Sequence, residues 1–164
     1  MESTNVPVIS AKDLNLWYGD FKALKSISLD VGGTTTDIAF WEQGLPLMAK
    51  RGAVINGYPT AVRSFHMRSI GIGGDSRIHK LNDDSYQVGP EREGPAAAVG
   101  GSVATLSDAL IVAGYVSFGD AARAQAAIAA LGGEPSAQAR KIIASACAAI
   151  QATISEMLEE WAKQ

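Results

Sequence analysis

The chain has 164 residues, of which 47% are hydrophobic and 19% are charged, and its formal net charge is -3. These values indicate one soluble globular domain, with at most a short appendage, and argue against a disordered chain. A net negative charge offers no general attraction to nucleic acid or to anionic lipid, so we expect neither as a partner.

The sequence carries no pattern that would take the chain into a membrane. Its start lacks an apolar run followed by a cleavage site, and no unbroken stretch approaches about 18 apolar residues. We therefore expect a cytoplasmic protein without a membrane span. The single cysteine, Cys147, excludes an internal disulfide, and its Ala-rich surroundings predict a small buried core residue.

Alternating apolar and polar residues predict a succession of short strands in the first half of the chain. We expect strands within residues 8–11, 14–18, 23–31, 37–41, 47–55 and 68–72, and a hairpin over residues 77–88 that turns at residues 82–84. Gly19-Asp20 and residues 44–46 predict turns, residues 57–59 a break, and residues 89–102 an ordered loop.

Farther along, apolar residues recur at steps of three and four, which predicts helices. Helices are expected over residues 105–114, 120–131 and 135–163. Thr105 and Asp108 have the spacing of an N-terminal capping box for the first of them. The predicted fold is therefore α/β: a mainly antiparallel or mixed sheet from residues 8–88, followed by three helices on one side.

A glycine turn between two strands is the first candidate for chemistry. Its sequence is Asp30-Val31-Gly32-Gly33-Thr34-Thr35-Thr36-Asp37. Glycines let backbone N–H groups approach an anion closely, and the threonine hydroxyls can donate to phosphate oxygens. The two carboxylates suit a hydrated Mg²⁺ ion. The octet predicts a phosphate-and-metal turn, although Gly-Gly hairpins also occur as plain turns.

A second glycine cluster repeats this arrangement farther along the chain. Ser69-Ile70-Gly71-Ile72-Gly73-Gly74-Asp75-Ser76 is a short apolar strand that ends in a turn with a carboxylate and a hydroxyl. Two such turns on adjacent strands could grip two sides of a triphosphate, or a phosphate and its metal. We therefore expect the two turns to converge.

Together these motifs resemble the hydantoinase A/oxoprolinase family over about residues 28–133. The resemblance is carried by both glycine turns, residues 88–96, Gly100-Gly101 and residues 105–110, in the expected order. It implies a ribonuclease H-like half-domain of the actin, Hsp70 and sugar kinase type, with ATP and Mg²⁺ as cofactors. By this resemblance the cofactor-binding residues are Asp30, Gly32, Gly33, Thr34, Thr35, Asp37, Gly71, Gly73, Gly74 and Ser76, with Asp30 and Asp37 as metal ligands.

The resemblance also implies that something is missing. In that superfamily the nucleotide lies between two related halves, whereas this sequence carries one copy of the Asp-x-Gly-Gly-Thr turn. Half a cleft lacks the opposing contacts and the exclusion of water that catalysis needs. We therefore expect a module that is inactive alone, completed by a second chain or by another copy. Asp75 stands where many relatives have glycine, so its role is open.

Residues 9–29 resemble a different protein, the ATP-binding subunit of phosphate-import ABC transporters. In such subunits the aromatic residue at Tyr18 stacks on adenine, and a phosphate loop containing Gly-Lys follows. No Gly-Lys pair exists in this sequence, so we interpret Tyr18 as a strand aromatic. We assign residues 1–29 as an ABC ATPase-like strand segment and residues 30–164 as the phosphate-binding domain.

Three functions therefore stand as hypotheses: a partial ATPase module, a non-catalytic oligomerising protein that pairs through its last helix, and a remnant of a transporter ATPase. The missing phosphate loop weighs against the third. His66 and His79 could suggest a metal site, but no third ligand accompanies them, and we expect unliganded histidines.

Overall fold

The computed structural model describes residues 16–18, 21–24, 26–42, 44–49, 52–55 and 58–163. The predicted strand at residues 8–11 and the Gly19-Asp20 turn lie outside these residues. The chain divides into two compact units. The first comprises residues 1–30 and 37–69, and the second comprises residues 31–36 and 70–164.

Short strands build the first half of the chain, as the alternating pattern predicted. They are β1 (Leu16–Tyr18), β2 (Phe21–Leu24), β3 (Ser26–Val31), β4 (Thr36–Glu42), β5 (Leu45–Pro46), β6 (Val54–Ile55), β7 (Tyr58–Pro59) and β8 (Met67–Ile70). β1 pairs with β2 and β6 with β7, both antiparallel. A separate four-stranded sheet has the order β3-β4-β5, and β8 also pairs with β4.

Strand β4 is the buried centre of that sheet. Thr36, Ile38 and Phe40 are fully buried, while the residues between them are half-buried. This alternation follows from the period of two in a strand, which sends successive side chains to opposite faces. Asp37 therefore lies on the face opposite to the buried residues.

The prediction of a single strand over residues 47–55 is wrong, because the only strand in this range is the short β6 at Val54–Ile55 among the described residues. Gly44 adopts a φ of 77°, and the tight turn allows Leu45–Pro46 to pair with Trp41 and Glu42 as β5. Beyond it the chain bonds to residues 64–66 rather than continuing one strand. Strand β6 ends at Ile55, in keeping with the break expected at residues 57–59, and Tyr58–Pro59 then pairs antiparallel with Val54–Ile55.

The second unit packs a hairpin against three helices. Its elements are β9 (Ile78–Lys80), β10 (Tyr86–Val88), α1 (Leu106–Val112), α2 (Ala121–Ala129) and α3 (Pro135–Ala162). The hairpin is antiparallel, and Asp84 occupies its turn with a φ of 60°. A short 3-10 helix, Ala97–Val99, lies within the predicted loop. The α/β class, with an antiparallel sheet followed by three helices, is thus confirmed.

The core of the second unit joins the hairpin to α1, α2 and α3. Its fully buried members include Ala109, Ile128, Ala139 and Ile142. The Tyr86 hydroxyl donates to the Gln138 side chain, and the Ser145 hydroxyl donates to the Tyr86 carbonyl. These two bonds fix β10 against α3.

Helix α3 differs from the sequence expectation in two respects. The helix is long and apolar enough to cross a membrane, but many core helices of soluble proteins have the same length and composition. Ala139, Ile142 and Ala146 of this helix are packed into the core of the second unit. Cys147 is exposed rather than buried, because the helical period turns the neighbouring Ala146 inward and the next residue outward.

A carboxylate caps the start of α3 and makes the helix sensitive to pH. Glu134 accepts hydrogen bonds from the amides of Ser136 and Ala137, and these bonds lower its pKa below the ordinary value of 4.5. A lowered folded-state pKa stabilises the protein above the unfolded-state pKa, and this stabilisation is lost as pH falls through the folded-state pKa. We expect Glu134→Gln to lower the melting temperature at neutral pH.

The same variant should melt together with the wild type in strong acid, where the wild-type carboxylate is protonated too. Thermal melts followed by circular dichroism from neutral pH down to acid would test this. A difference that stays constant over the whole range would contradict a role for the ionised cap. The control is Gln151→Glu, which changes the charge at an exposed position of α3 and leaves the cap intact.

Candidate functional site

The first glycine turn joins β3 to β4 and is exposed from Gly32 to Thr35. The amide of Gly32 donates to the carbonyl of Thr35 at 2.9 Å, which closes the turn. A connection this short joins antiparallel neighbours. The Thr36 hydroxyl is buried and donates to the carbonyl of Ile72 at 2.6 Å, so the end of this turn is bonded to the second glycine segment.

The structure places the two glycine turns directly against each other. The amide of Gly74 donates to the carbonyl of Gly32 at 2.9 Å, and the amide of Asp75 donates to the carbonyl of Gly33 at 2.7 Å. A Cβ atom on Gly73 would lie 2.5 Å from the backbone nitrogen of Thr34. Glycine at position 73 is therefore required by the contact between the two turns.

The amides of the second turn are engaged within the protein. Ser76 is buried, and its hydroxyl accepts from the amide of Gly73 at 2.8 Å and donates to the carbonyl of Gly71 at 3.4 Å. Its own amide donates to the carbonyl of Gly73 at 3.0 Å. A Cβ atom on Gly71 would lie 2.5 Å from the Pro90 side chain. The amides of Gly73, Gly74, Asp75 and Ser76 are thus all engaged, and the second turn supports the first.

Free donors remain on the first turn. Within the described part of the chain, the amides of Gly33 and Thr34 have no hydrogen-bond partner. Thr34 and Thr35 are exposed, so their hydroxyls are open to a ligand. Unpartnered amides and exposed hydroxyls on one short turn are donors that suit an anion such as phosphate.

An ion pair lies beside these donors. The Asp75 carboxylate oxygen Oδ2 accepts from Arg92, at 2.8 Å from Nη2 and 3.1 Å from Nε. The same oxygen would lie 3.1 Å from a Cβ atom on Gly33. The sequence pointed to neither the pairing of Asp75 nor Arg92, because these residues meet only in the folded chain.

Two carboxylates flank the first turn in the sequence. Asp30 is exposed, and Asp37 accepts a hydrogen bond from the Ser69 hydroxyl. Asp37 lies on the face of β4 opposite to its buried residues, and Asp30 lies in β3 just before the turn. Carboxylates suit a Mg²⁺ ion that takes its other ligands from water and phosphate.

The start of α1 packs against the second glycine turn. The amide of Ser107 donates to the carbonyl of Gly74 at 2.8 Å, and the amide of Leu106 donates to the carbonyl of Ser76 at 3.2 Å. Asp108 accepts from both the amide and the hydroxyl of Thr105 at 3.0 Å, which confirms the predicted pairing of these two residues.

Asp108 also has partners that its spacing did not predict. It is fully buried and accepts from the amides of Ala97 and Ala98, each at 2.9 Å. These amides belong to the 3-10 helix in the preceding loop. One carboxylate thus bonds that loop to the start of α1, which itself bonds to the second glycine turn.

No group of three His, Cys, Asp or Glu residues that could hold a metal ion occurs in the described part of the chain. His79 pairs with Glu91 at 2.8 Å, and this bond lowers the pKa of Glu91. His66 lies near Phe40 with 6.3 Å between ring centroids. The side chain of Tyr18, the candidate adenine platform, lies outside the described residues.

Comparison with known proteins supplies independent information. The sequence matches the hydantoinase/oxoprolinase family over residues 17–164, a wider stretch than the motifs had suggested. The match begins within the segment that resembled a transporter ATPase, and no comparison supports that second resemblance. Comparison with curated proteins gives no match.

One similar solved structure is the nucleotide-free structure of acetone carboxylase, an enzyme of ATP-dependent acetone carboxylation. The similarity has a TM-score of 0.57 with 25% sequence identity, and it covers 69% of this chain and 19% of that chain. The matched part is thus about a fifth of the carboxylase chain. Because the family match extends over nearly the whole sequence, this chain belongs to the hydantoinase/oxoprolinase family.

Proposed function

We propose that the chain is a nucleotide-phosphate-binding module of a hydantoinase/oxoprolinase-type ATPase, with the first glycine turn as the phosphate site and Mg²⁺ as its metal. The observation that carries the proposal is a turn whose carbonyls are bonded to the second glycine turn, while its Gly33 and Thr34 amides have no partner in the described part of the chain. Family membership supports ATP as the nucleotide. In this proposal the sheet and helices form a ribonuclease H-like half-domain.

In this proposal the second glycine turn acts as a brace. Its bonds from Gly74 and Asp75 to the carbonyls of Gly32 and Gly33 restrain the backbone of the first turn, so that the free amides are in place before a ligand arrives. Donors that are already positioned need no rearrangement when charge arrives, which favours anion binding. Asp30 and Asp37 supply carboxylates for the metal.

The module is proposed to be inactive alone, because an ATP cleft of this kind is closed by a second half. The similar carboxylase is far longer, since the match covers 19% of its chain. A second chain or another copy of this one would provide the opposing contacts. We propose a cytoplasmic assembly without nucleic acid as a partner, in keeping with the net charge of -3.

Calorimetric titration with Mg-ATP tests the proposal. We expect binding by the wild type and an affinity lower by at least about tenfold in Asp30→Ala, since loss of support for a metal typically costs this much or more. Thr34→Ala should weaken binding by about fivefold through the loss of one hydroxyl contact. Ser117→Ala, which removes an exposed hydroxyl elsewhere, is the matched control.

No heat and no thermal shift at millimolar Mg-ATP would overturn the phosphate site. Equal weakening by Ser117→Ala would show that the threonine effect is not local. Circular dichroism of each variant separates lost binding from lost folding.

An oligomerising protein is the second candidate, and exposed apolar side chains in the first unit favour it. Met48 and Phe65 are directly paired across two segments and are 47% and 54% exposed. The last helix, α3, is the other candidate surface, and its residues Ile150, Ile154 and Leu158 are half-buried. An oligomer by light scattering that Mg-ATP leaves unchanged, and that Phe65→Ser dissociates, would favour this function.

A further inference from the structure

The Asp75 carboxylate occupies the immediate neighbourhood of the proposed phosphate site. Its amide is bonded to the carbonyl of Gly33 at 2.7 Å, and its Oδ2 atom would lie 3.1 Å from a Cβ atom on Gly33. The backbone bond prevents the residue from moving away as a whole. A phosphate on the amides of Gly33 and Thr34 would therefore lie close to the Asp75 carboxylate and its partner.

Arg92 neutralises the charge of Asp75 and uses only part of its hydrogen-bonding capacity to do so. Its Nε and Nη2 atoms both donate to the same oxygen of Asp75. A guanidinium has five N–H donors in a fixed fork, so donors remain on Arg92 for a phosphate oxygen. The side chain is about half exposed, which leaves it open to a ligand.

We infer that the Asp75–Arg92 pair determines which phosphate ligand the first turn accepts: a polyphosphate complexed with a divalent cation, in preference to the free polyanion. This inference rests on the proposed function. The pair has no net charge, because Asp75 cancels the attraction that Arg92 alone would exert on a free polyanion. A divalent cation reduces the ligand's charge and is itself attracted to carboxylate oxygens.

A simpler role for Asp75 would be to orient Arg92 as a phosphate contact. The two roles have opposite consequences. If Asp75 only orients Arg92, removing either side chain weakens binding. If Asp75 sets the charge, its neutralisation leaves Arg92 uncompensated and strengthens the binding of a free polyanion.

Calorimetric titration with sodium tripolyphosphate, once with Mg²⁺ and once with EDTA, distinguishes these roles. We expect Asp75→Asn to raise the affinity for the free polyanion by about tenfold and to reduce the advantage given by Mg²⁺. Arg92→Gln should lower the affinity for the free polyanion by about tenfold, and the double variant should return towards the wild type.

Glu93→Gln is the matched control, because it removes one negative charge next to Arg92 in the chain, at a residue paired with Arg77. If Asp75→Asn and Glu93→Gln change the affinity for the free polyanion equally, the inference is overturned, since the net charge of the protein would then explain both effects. Weakened or unchanged binding of the free polyanion in Asp75→Asn also overturns it. If neither the wild type nor any variant binds either form, the proposed function itself fails. Binding by the wild type without the expected change in Asp75→Asn removes this inference alone.

Discussion

Replacing Asp108 by alanine should lower the free energy of unfolding by about 3–5 kcal/mol. The carboxylate is fully buried and accepts four hydrogen bonds, from the amides of Ala97, Ala98 and Thr105 and from the Thr105 hydroxyl. Alanine leaves these donors without an acceptor in a place that water does not reach. Urea denaturation followed by circular dichroism measures the loss.

Asp120→Ala is the matched control for this experiment. Asp120 also accepts amide bonds at the start of a helix, from Ala122 at 2.9 Å and Arg123 at 3.3 Å, but it is exposed. Its removal should cost about 1 kcal/mol, the ordinary effect of losing an N-cap. If the two variants are destabilised equally, Asp108 is only a helix cap and does not join the loop to α1.

Only some of the hydrogen bonds of Asp108 could be predicted from the sequence. Its spacing from Thr105 identified the start of α1, because a capping box is a local pattern that four consecutive residues define. Its bonds to Ala97 and Ala98 depend on how a loop folds back onto the helix, and no spacing encodes that. The helices were predictable for the same reason that this cap was, since period and caps act within a few residues.

Strand pairing was less predictable than helix position. The strand predicted at residues 37–41 is present as β4, and its alternation matches the buried Ile38 and Phe40. Residues 47–55 divided into shorter pieces because partners distant in sequence, such as residues 64–66, compete for their hydrogen bonds. A period of two reports which face is buried but not which strand lies alongside.

The glycine turns were predictable in their position but not in their contacts. Two bare turns suggested converging anion sites, and the structure places them in contact. The sequence did not reveal that Ser76 and the carbonyls of the first turn engage the amides of the second. Glycine has two physical uses, close approach of a ligand and close approach of another backbone, and a sequence alone does not separate them. At positions 71 and 73 the contacts are with Pro90 and with the first turn.

Gly73→Ala tests whether the contact between the two turns maintains the site. The added Cβ would lie 2.5 Å from the Thr34 nitrogen and 2.6 Å from the Gly33 carbonyl carbon and oxygen. Backbone atoms cannot rotate away as the end of a side chain can, so the turns must separate. We expect a loss of about 3 kcal/mol in the free energy of unfolding, the upper part of the usual range for overpacking. Mg-ATP binding should fall below detection.

Gly32→Ala is the control that separates crowding from the loss of a glycine as such. A Cβ there would meet its nearest neighbour, the Thr35 carbonyl oxygen, at 3.4 Å, an ordinary contact. Its unfolding free energy should stay within about 1 kcal/mol of the wild type. If Gly73→Ala is as stable as Gly32→Ala and still binds Mg-ATP, the second turn does not brace the first. If it is destabilised yet binds with unchanged affinity, the bracing is structural and the free amides of the first turn keep their positions without it.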